Sequence, residues 1–161
     1  MTLLPKSASG IIVGSRHYFP LRIVYEDTDL SGIVYHANYL GFCERARSDC
    51  LDLLEVDHVG AQASGEGVYV VSGAEIAWKR PARLGDELIV ETQASSLRAA
   101  SVHMYQRILR PAGEELSALD TAEVLAEARL RIGFVSPDGR PRRQPAEWRE
   151  KFARFAEDLP E

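Results

Sequence analysis

"TAEVLAEARLRIGFV" (Thr121–Val135) can be read two ways, and the choice decides the fold. Ala, Glu, Leu and Arg are strong helix formers, so propensity alone makes the run a helix. Its period says otherwise. Ala122, Val124, Ala126, Ala128, Leu130, Ile132 and Phe134 alternate with Glu123, Glu127, Arg129 and Arg131. A period of two sustained that far belongs to a half-buried strand, which is the reading adopted here. "SPDGRP" (Ser136–Pro141) then closes it as a turn.

Working back from this strand, the same alternation recurs. "SVHMYQRIL" (Ser101–Leu109) sets Val102, Met104 and Ile108 on one side, and "RPAGEE" ends that hairpin. "ELIVETQA" (Glu87–Ala94) alternates Leu88, Val90, Thr92 and Ala94 against Glu87, Glu91 and Gln93. In "VYVVSGAEIAWKR" (Val68–Arg80) one face is expected to carry Val68, Val70, Ser72, Ala74, Ile76 and Trp78. "RPARLGDE" (Arg80–Glu87) is a turn region, broken by Pro81 and Gly85-Asp86. "HYFPLRIVY" (His17–Tyr25) reads as a first strand, with Pro20 near its start or on an edge.

From Asn38 the period changes. Tyr39, Cys43, Ala46, Cys50 and Leu53 step by four and three, the apolar stripe of an amphipathic helix that ends near Leu54–Val56. "GAQASGEG" (Gly60–Gly67) is expected to be loop, and a short polar helix runs from Ala146 to about Phe155. The order is therefore strand, helix, about four antiparallel strands and a terminal helix, an α+β arrangement. Residues 1–15 read as a loose leader, 16–145 as one domain and 146–161 as a helix and tail. One central helix cannot cover both faces of a sheet. The sheet is expected to curl around it, and the outer face then calls for a partner copy, a dimer or a tetramer.

Composition narrows the function. At 161 residues, 45% hydrophobic and 27% charged, the chain is long enough for one real core. No apolar run approaches the roughly 20 residues of a membrane helix. "GIIVG" with the single Lys6 is too short for a secretory signal, so a cytoplasmic protein is expected. The net charge of −5, without a basic tract, gives no support to nucleic-acid binding. Cys43 and Cys50 would lie about 10 Å apart along one helix, too far to bridge, and read as reduced core thiols. His17, His36, His58 and His103 are scattered, which argues against a metal site.

"YEDTDLSGIVYHANYLGFCERAR" (Tyr25–Arg47) holds more polar chemistry than a turn needs. Alone, Asp27 and Asp29 would read as Asx-turn residues. Together with "WKRPARLGDEL" (Trp78–Leu88), where the family has a "YKRPARLGDEL"-like block, the run resembles the signature of the hot-dog acyl-CoA thioesterases. The likeness is to the 4-hydroxybenzoyl-CoA thioesterase type, most of all its Tol-Pal-associated branch, and covers about Phe19 to Pro141. The resemblance implies a curled antiparallel sheet wrapped around one central helix, and hydrolysis of short-chain aliphatic or aromatic acyl-CoA to free acid and CoA. It implies no cofactor, since coenzyme A is part of the substrate.

The resemblance also assigns residues. Asp29, the second acid of "DTD", is the catalytic position, either general base toward water or direct nucleophile. Gly32 lets the backbone turn closely, and Tyr35 and His36 lead into a helix N-terminus whose free N–H groups face outward. The amide of His36 is the oxyanion donor, and the His36 imidazole can orient water or assist proton transfer. Glu44 matches a site glutamate of the branch, against a plain i, i+3 pair with Arg47. Tyr39 is a pocket candidate, with a core position as the alternative. Val70 and Val71, with Val59 and Tyr69 behind them, are further pocket candidates. Arg98 in "SSLRAAS" and Arg140, Arg142 and Arg143 in "DGRPRRQP" are candidates for the CoA phosphates. Asp27 and Arg83 are expected to be structural.

Two other readings compete. A hot-dog hydratase or dehydratase also pairs an acid with a histidine, but its signature has them five positions apart with an Asn-Pro between, where this chain has them seven positions apart with "LSGIVY" between. A noncatalytic acyl-thioester or acyl-carrier-protein binding module should lack the acid at 29 or the glycine at 32. An acyl-carrier-protein thioester stays open as an alternative substrate.

Overall fold

The structure, a computed structural model, describes residue 4 and residues 6–153. The Thr121–Val135 run is a strand from Glu123 to Val135. It takes its place in one six-stranded antiparallel sheet. In chain order the strands are β1 (Ile11–Val13), β2 (Arg16–Arg22), β3 (Val68–Trp78), β4 (Glu87–Leu97), β5 (Ser101–Arg110) and β6 (Glu123–Val135). Across the sheet they lie in the order β1-β2-β4-β5-β6-β3. Tertiary pairing on both sides of β6 overrides the helix propensity of its residues.

Helix α1 (Asn38–Leu53) is wrapped by the curled sheet. Its stripe of Tyr39, Phe42, Cys43, Ala46 and Cys50 is buried among Leu88, Val90 and Ala94 of β4, Val102, Met104 and Ile108 of β5, and Leu130, Ile132 and Phe134 of β6. Both cysteines are free and buried, and burial pushes the Cys43 thiol up to about 11. A polar chain threads this core. Arg47 Nη1 donates to Gln106 Oε1 at 2.8 Å, while Gln106 Nε2 donates to Cys43 O at 3.0 Å and Thr92 Oγ1 at 2.9 Å. Gln106 is fully buried, so it requires these partners.

Four sequence expectations are corrected. The first strand stops at Arg22, because Asp27 Oδ2 accepts the Val24 N–H at 2.8 Å and draws Tyr25–Asp27 into a 3-10 turn. Part of the expected loop is helix α2 (His58–Ser64), capped by Asp57, which accepts from Gly60 N at 2.8 Å, and stopped by Gly65 at φ +76°. The sheet begins within the supposed leader, at β1. There Asp49 of α1 accepts from Ser9 Oγ at 2.6 Å and Gly10 N at 2.9 Å, and pairs with His17 Nε2 at 2.7 Å. Gly10 passes so close that a Cβ there would lie 2.2 Å from Tyr18 O.

The fourth correction concerns β3. Tyr69 faces Phe134 and Val71 faces Ile132, but a bulge between Val71 and Gly73 shifts the register, so that Ala74 faces Leu130 and Trp78 faces Ala126. One extra residue swaps the faces. Val68 and Val70 therefore point away from the side carrying Ala74, Ile76 and Trp78. β3 has β6 as its neighbour on one side only, and Val70–Glu75 are exposed. Helix α3 (Ala146–Ala153) closes the Val68 end, packing Trp148 and Phe152 on Tyr69. The expected extension of that helix to Phe155 lies outside the described residues.

Candidate active site

The segment between the 3-10 turn and α1 is held by its own backbone. Asp29 N–H donates to Ile33 O at 3.1 Å, and Gly32 N–H returns to Asp29 O at 3.0 Å, with Gly32 at φ +77°. That left-handed conformation suits glycine. Asp27 is buried and structural. Its carboxylate holds Val24, and its carbonyl accepts from Tyr35 N and Asn38 Nδ2, each at 2.9 Å. Val34 N–H donates to Ala82 O at 2.9 Å, and Ala82 N–H donates to the Tyr39 hydroxyl at 3.1 Å. The two signature blocks, distant in sequence, are thus joined by hydrogen bonds.

Asp29 itself stands exposed at the surface of the chain. Its Oδ1 accepts from Ser31 N at 2.7 Å and from Ser31 Oγ. The other carboxylate oxygen has no partner among the described residues. The Ser31 side chain and amide, with a contribution from the nearby His36 charge, hold the carboxyl below its ordinary value. Asp29 is therefore ionised at neutral pH, with one oxygen oriented and one open.

Further along the same segment, two consecutive peptide units are fixed by their carbonyls. Tyr35 O accepts from Asn38 N at 2.9 Å, and His36 O accepts from Trp78 Nε1 at 3.0 Å. A trans peptide points its N–H opposite its C=O. The N–H groups of His36 and Ala37 therefore face away from those bonds, and neither has a partner among the described residues. They open onto the start of α1, where the helix dipole favours negative charge. The His36 ring is flanked edge-on by Tyr35, centroids 4.5 Å apart, and by Trp78 at 5.8 Å.

The other candidates divide. Tyr39 takes the core position rather than a pocket one: it is 3% exposed, packed on Phe42, and its hydroxyl accepts from Ala82 N–H. Glu44 is exposed and pairs with Arg47 one turn on, the plain helical pairing. Glu44, Arg47, Tyr69 and Val71 line a cavity of about 70 Å³ between α1 and the sheet, which Asp29 does not reach. Val70 is exposed on the opposite face, and Val59 is exposed on α2. The turn at Arg83 is held by its backbone N–H to Asp86 at 2.8 Å, not by its guanidinium.

The arginines gather at one place. Gln144 Nε2 donates to Arg98 O at 2.9 Å, which sets the exposed Arg98 and Arg143 side by side, neither ion-paired among the described residues. Arg140 pairs with Asp138 at 3.2 Å, and Arg142 donates to the carbonyls of Gly65 and Glu66. This cluster borders the Val68–Val135 end of the sheet. His36 borders Trp78, ten residues along β3, which is about 33 Å at strand rise. Within one chain the arginines and Asp29 are not brought together. Sequence reasoning also missed Trp78, since a bond spanning 42 positions has no local signal.

A curled antiparallel sheet wrapped around one helix is the architecture of the hot-dog fold. The chain belongs to the thioesterase-like superfamily, whose family model matches residues 23–156, and it is a thioester hydrolase. It is 37% identical over 115 residues to the acyl-CoA thioesterase YbgC of Helicobacter pylori, spanning 71% of this chain and 83% of that one. To the acyl-CoA thioester hydrolase YbgC of Escherichia coli O6:H1 it is 39% identical over 109 residues, 66% of this chain and 77% of the other. The crystal structure of a probable thioesterase from Bartonella henselae superposes with a TM-score of 0.71 at 35% identity, covering 81% of this chain and 99% of that one. A 1,4-dihydroxy-2-naphthoyl-CoA thioesterase from Synechocystis shares the fold, with a TM-score of 0.75 at 20% identity over 86% of this chain and 96% of its own.

Proposed function

We propose that this protein hydrolyses acyl-CoA thioesters, short-chain aliphatic or aromatic, in the cytoplasm, releasing free acid and CoA. The carrying observation is the open, ionised Asp29 carboxylate, close enough to His36 to feel its side chain, together with the unpartnered N–H of His36. Asp29 either takes a proton from water as the water oxygen attacks the thioester carbonyl, or attacks that carbon itself to form an anhydride that water then cleaves. In both routes the carbonyl oxygen gains negative charge and is met by the His36 amide, a contact of the kind worth about 2.7–4 kcal/mol. Collapse breaks the C–S bond. The leaving thiolate, with a pKa of roughly 8.5, needs little acid help. In this reading the His36 ring orients the water.

The arginine cluster enters through a second copy. β3 is a long exposed edge, and antiparallel pairing with the same edge of another copy would set the Val68 end of one chain against the Trp78 end of the other. Arg98 and Arg143 of that copy would then stand where the nucleotide phosphates of CoA leave the Asp29 site. Such dimers can pair again into a tetramer. An acyl-carrier-protein thioester would present the same reacting group with a different handle.

Thiol release across an acyl-CoA panel of increasing chain length and aryl groups, run beside Asp29→Asn, tests the reading. The expected result is turnover on part of the panel that Asp29→Asn abolishes without loss of fold. Equal turnover by Asp29→Asn, or loss of crotonyl-CoA double-bond absorbance without free thiol, overturns it.

A further inference from the structure

We propose that Trp78 is a positioning residue for thioester cleavage: its indole N–H, through the His36 carbonyl, sets the peptide and the ring that stand beside Asp29. The inference rests on the Asp29 reading and extends it to a residue that does not touch the substrate.

Three observations support it. The first is the use of the donor. Tryptophan has one N–H and no acceptor, and Trp78 spends it at 3.0 Å on the last carbonyl before the α1 cap, although the side chain is 48% exposed and water is available to it. The second is what that bond orients. His36 O and Ala37 N–H share one rigid peptide unit, so holding the oxygen fixes the N–H on the far side. A hydrogen bond accepted at the oxygen also polarises the unit and strengthens its N–H as a donor. The third is the ring contact. Trp78 meets the His36 imidazole edge-on at 5.8 Å and 84°, and Tyr35 also packs on it at 4.5 Å. The ring contacts two aromatics, and the peptide is pinned by one of them. No other bond among the described residues reaches His36 O.

The bulge in β3 makes this possible. Without the register shift between Val71 and Gly73, the residue at 78 would project from the other face of the sheet, away from α1. The edge strand is thereby coupled to the helix mouth through a single side chain.

The test compares wild type, Trp78→Phe and two analogues placed at position 78 of the full chain. 3-Benzothienylalanine keeps the shape of tryptophan and lacks the N–H, whereas 7-azatryptophan keeps it. The readouts are kcat and KM on the best acyl-CoA of the panel, and the amide resonances of His36 and Ala37. Misplacement by about 1 Å can cost roughly 100-fold in rate. We expect kcat to fall by about 10- to 100-fold in Trp78→Phe and the benzothienyl protein, with KM within about twofold and both amide resonances shifted. The azatryptophan protein should return to wild-type kcat. Should Trp78→Phe fail to fold, the benzothienyl protein decides alone. Undiminished kcat without the N–H, or a loss equal in the azatryptophan protein, overturns the inference. With Asp29→Asn inactive, that outcome leaves the Asp29 reading standing. If Asp29→Asn is as fast as wild type, both fall.

Discussion

At the Trp78 end of β3 the polar groups are backbone amides and one carboxylate, oriented by hydrogen bonds within the loop that carries them and by the bond from Trp78 to His36 O. At the Val68 end they are guanidinium groups on long side chains, three of them (Arg98, Arg142 and Arg143) without an ion-pair partner among the described residues. Short, pinned groups suit charge that develops at one atom in a transition state, because they need no reorganisation as it forms. Long, exposed cations suit a ligand's phosphates, which are large, charged before the reaction and tolerant of position. Under the proposed function, the contrast assigns chemistry and substrate capture to opposite ends of one strand, which a second copy would reunite.

Experiments that separate the two ends sharpen this contrast. The largest effect is expected from Asp29→Asn: kcat should drop by roughly 10²- to 10⁴-fold, with the melting temperature unchanged because the side chain is exposed. A melting point that falls with the activity would break the division. Asp27→Ala should do the reverse. It removes the charge-assisted bond to the partly buried Val24 N–H and is expected to cost about 1–3 kcal/mol of stability by denaturant titration. A smaller effect is expected from Arg98→Ala with Arg143→Ala: KM up by about threefold to tenfold at low salt, the difference shrinking as salt rises, and kcat unchanged. Mixing that double variant with Asp29→Asn, followed by assay at low substrate, should restore activity above the sum of the parts, since a mixed dimer carries one complete site. No restoration would place the arginines and Asp29 in separate roles.

The smallest effect concerns acid. Burial holds the folded His17 below its ordinary value of 6.5, so the unfolded chain binds the proton first and stability falls as pH drops below about 6.5. Burial raises Asp49, but the bonds from Ser9, His17 and Gly10 outweigh it and hold it low. Stability present above about 3.9 is therefore lost as pH falls further, through the folded value. Melting curves across pH should show both steps, and His17→Gln should lack the upper one. These groups lie away from Asp29, so the acid limb of the rate profile, set by a carboxyl held low by Ser31, should appear at lower pH than the upper step.

Much of this was legible in the sequence where one physical signal ran unbroken. The alternation through Thr121–Val135 outweighed helix propensity, and the four-three steps from Tyr39 gave α1 its buried face. Signals that depend on a distant partner were not legible. The bulge at Val71/Gly73 is a property of two strands, so the valines were set on the wrong face. Helix α2 hid behind Gly60 and Ser64, although its Asp57 cap and Gly65 stop were in plain view. Gln106 and Arg47 look like surface residues until each supplies the other's partner in the core. At the site, Asp29 stood out through the resemblance, while Trp78 entered only when the fold brought it to His36.

The placement of β6 has a consequence for how the chain is made. Among the described residues β3 has one strand neighbour, β6, and Val68 pairs with Val135. A ribosome must therefore finish some 67 further residues before the first of β3 can be covered, the slow, non-local closure that exposes a nascent chain to aggregation. Truncated translation products ending before Glu123 would carry β3 bare on both edges, and those fragments are the ones a chaperone would be called on to hold.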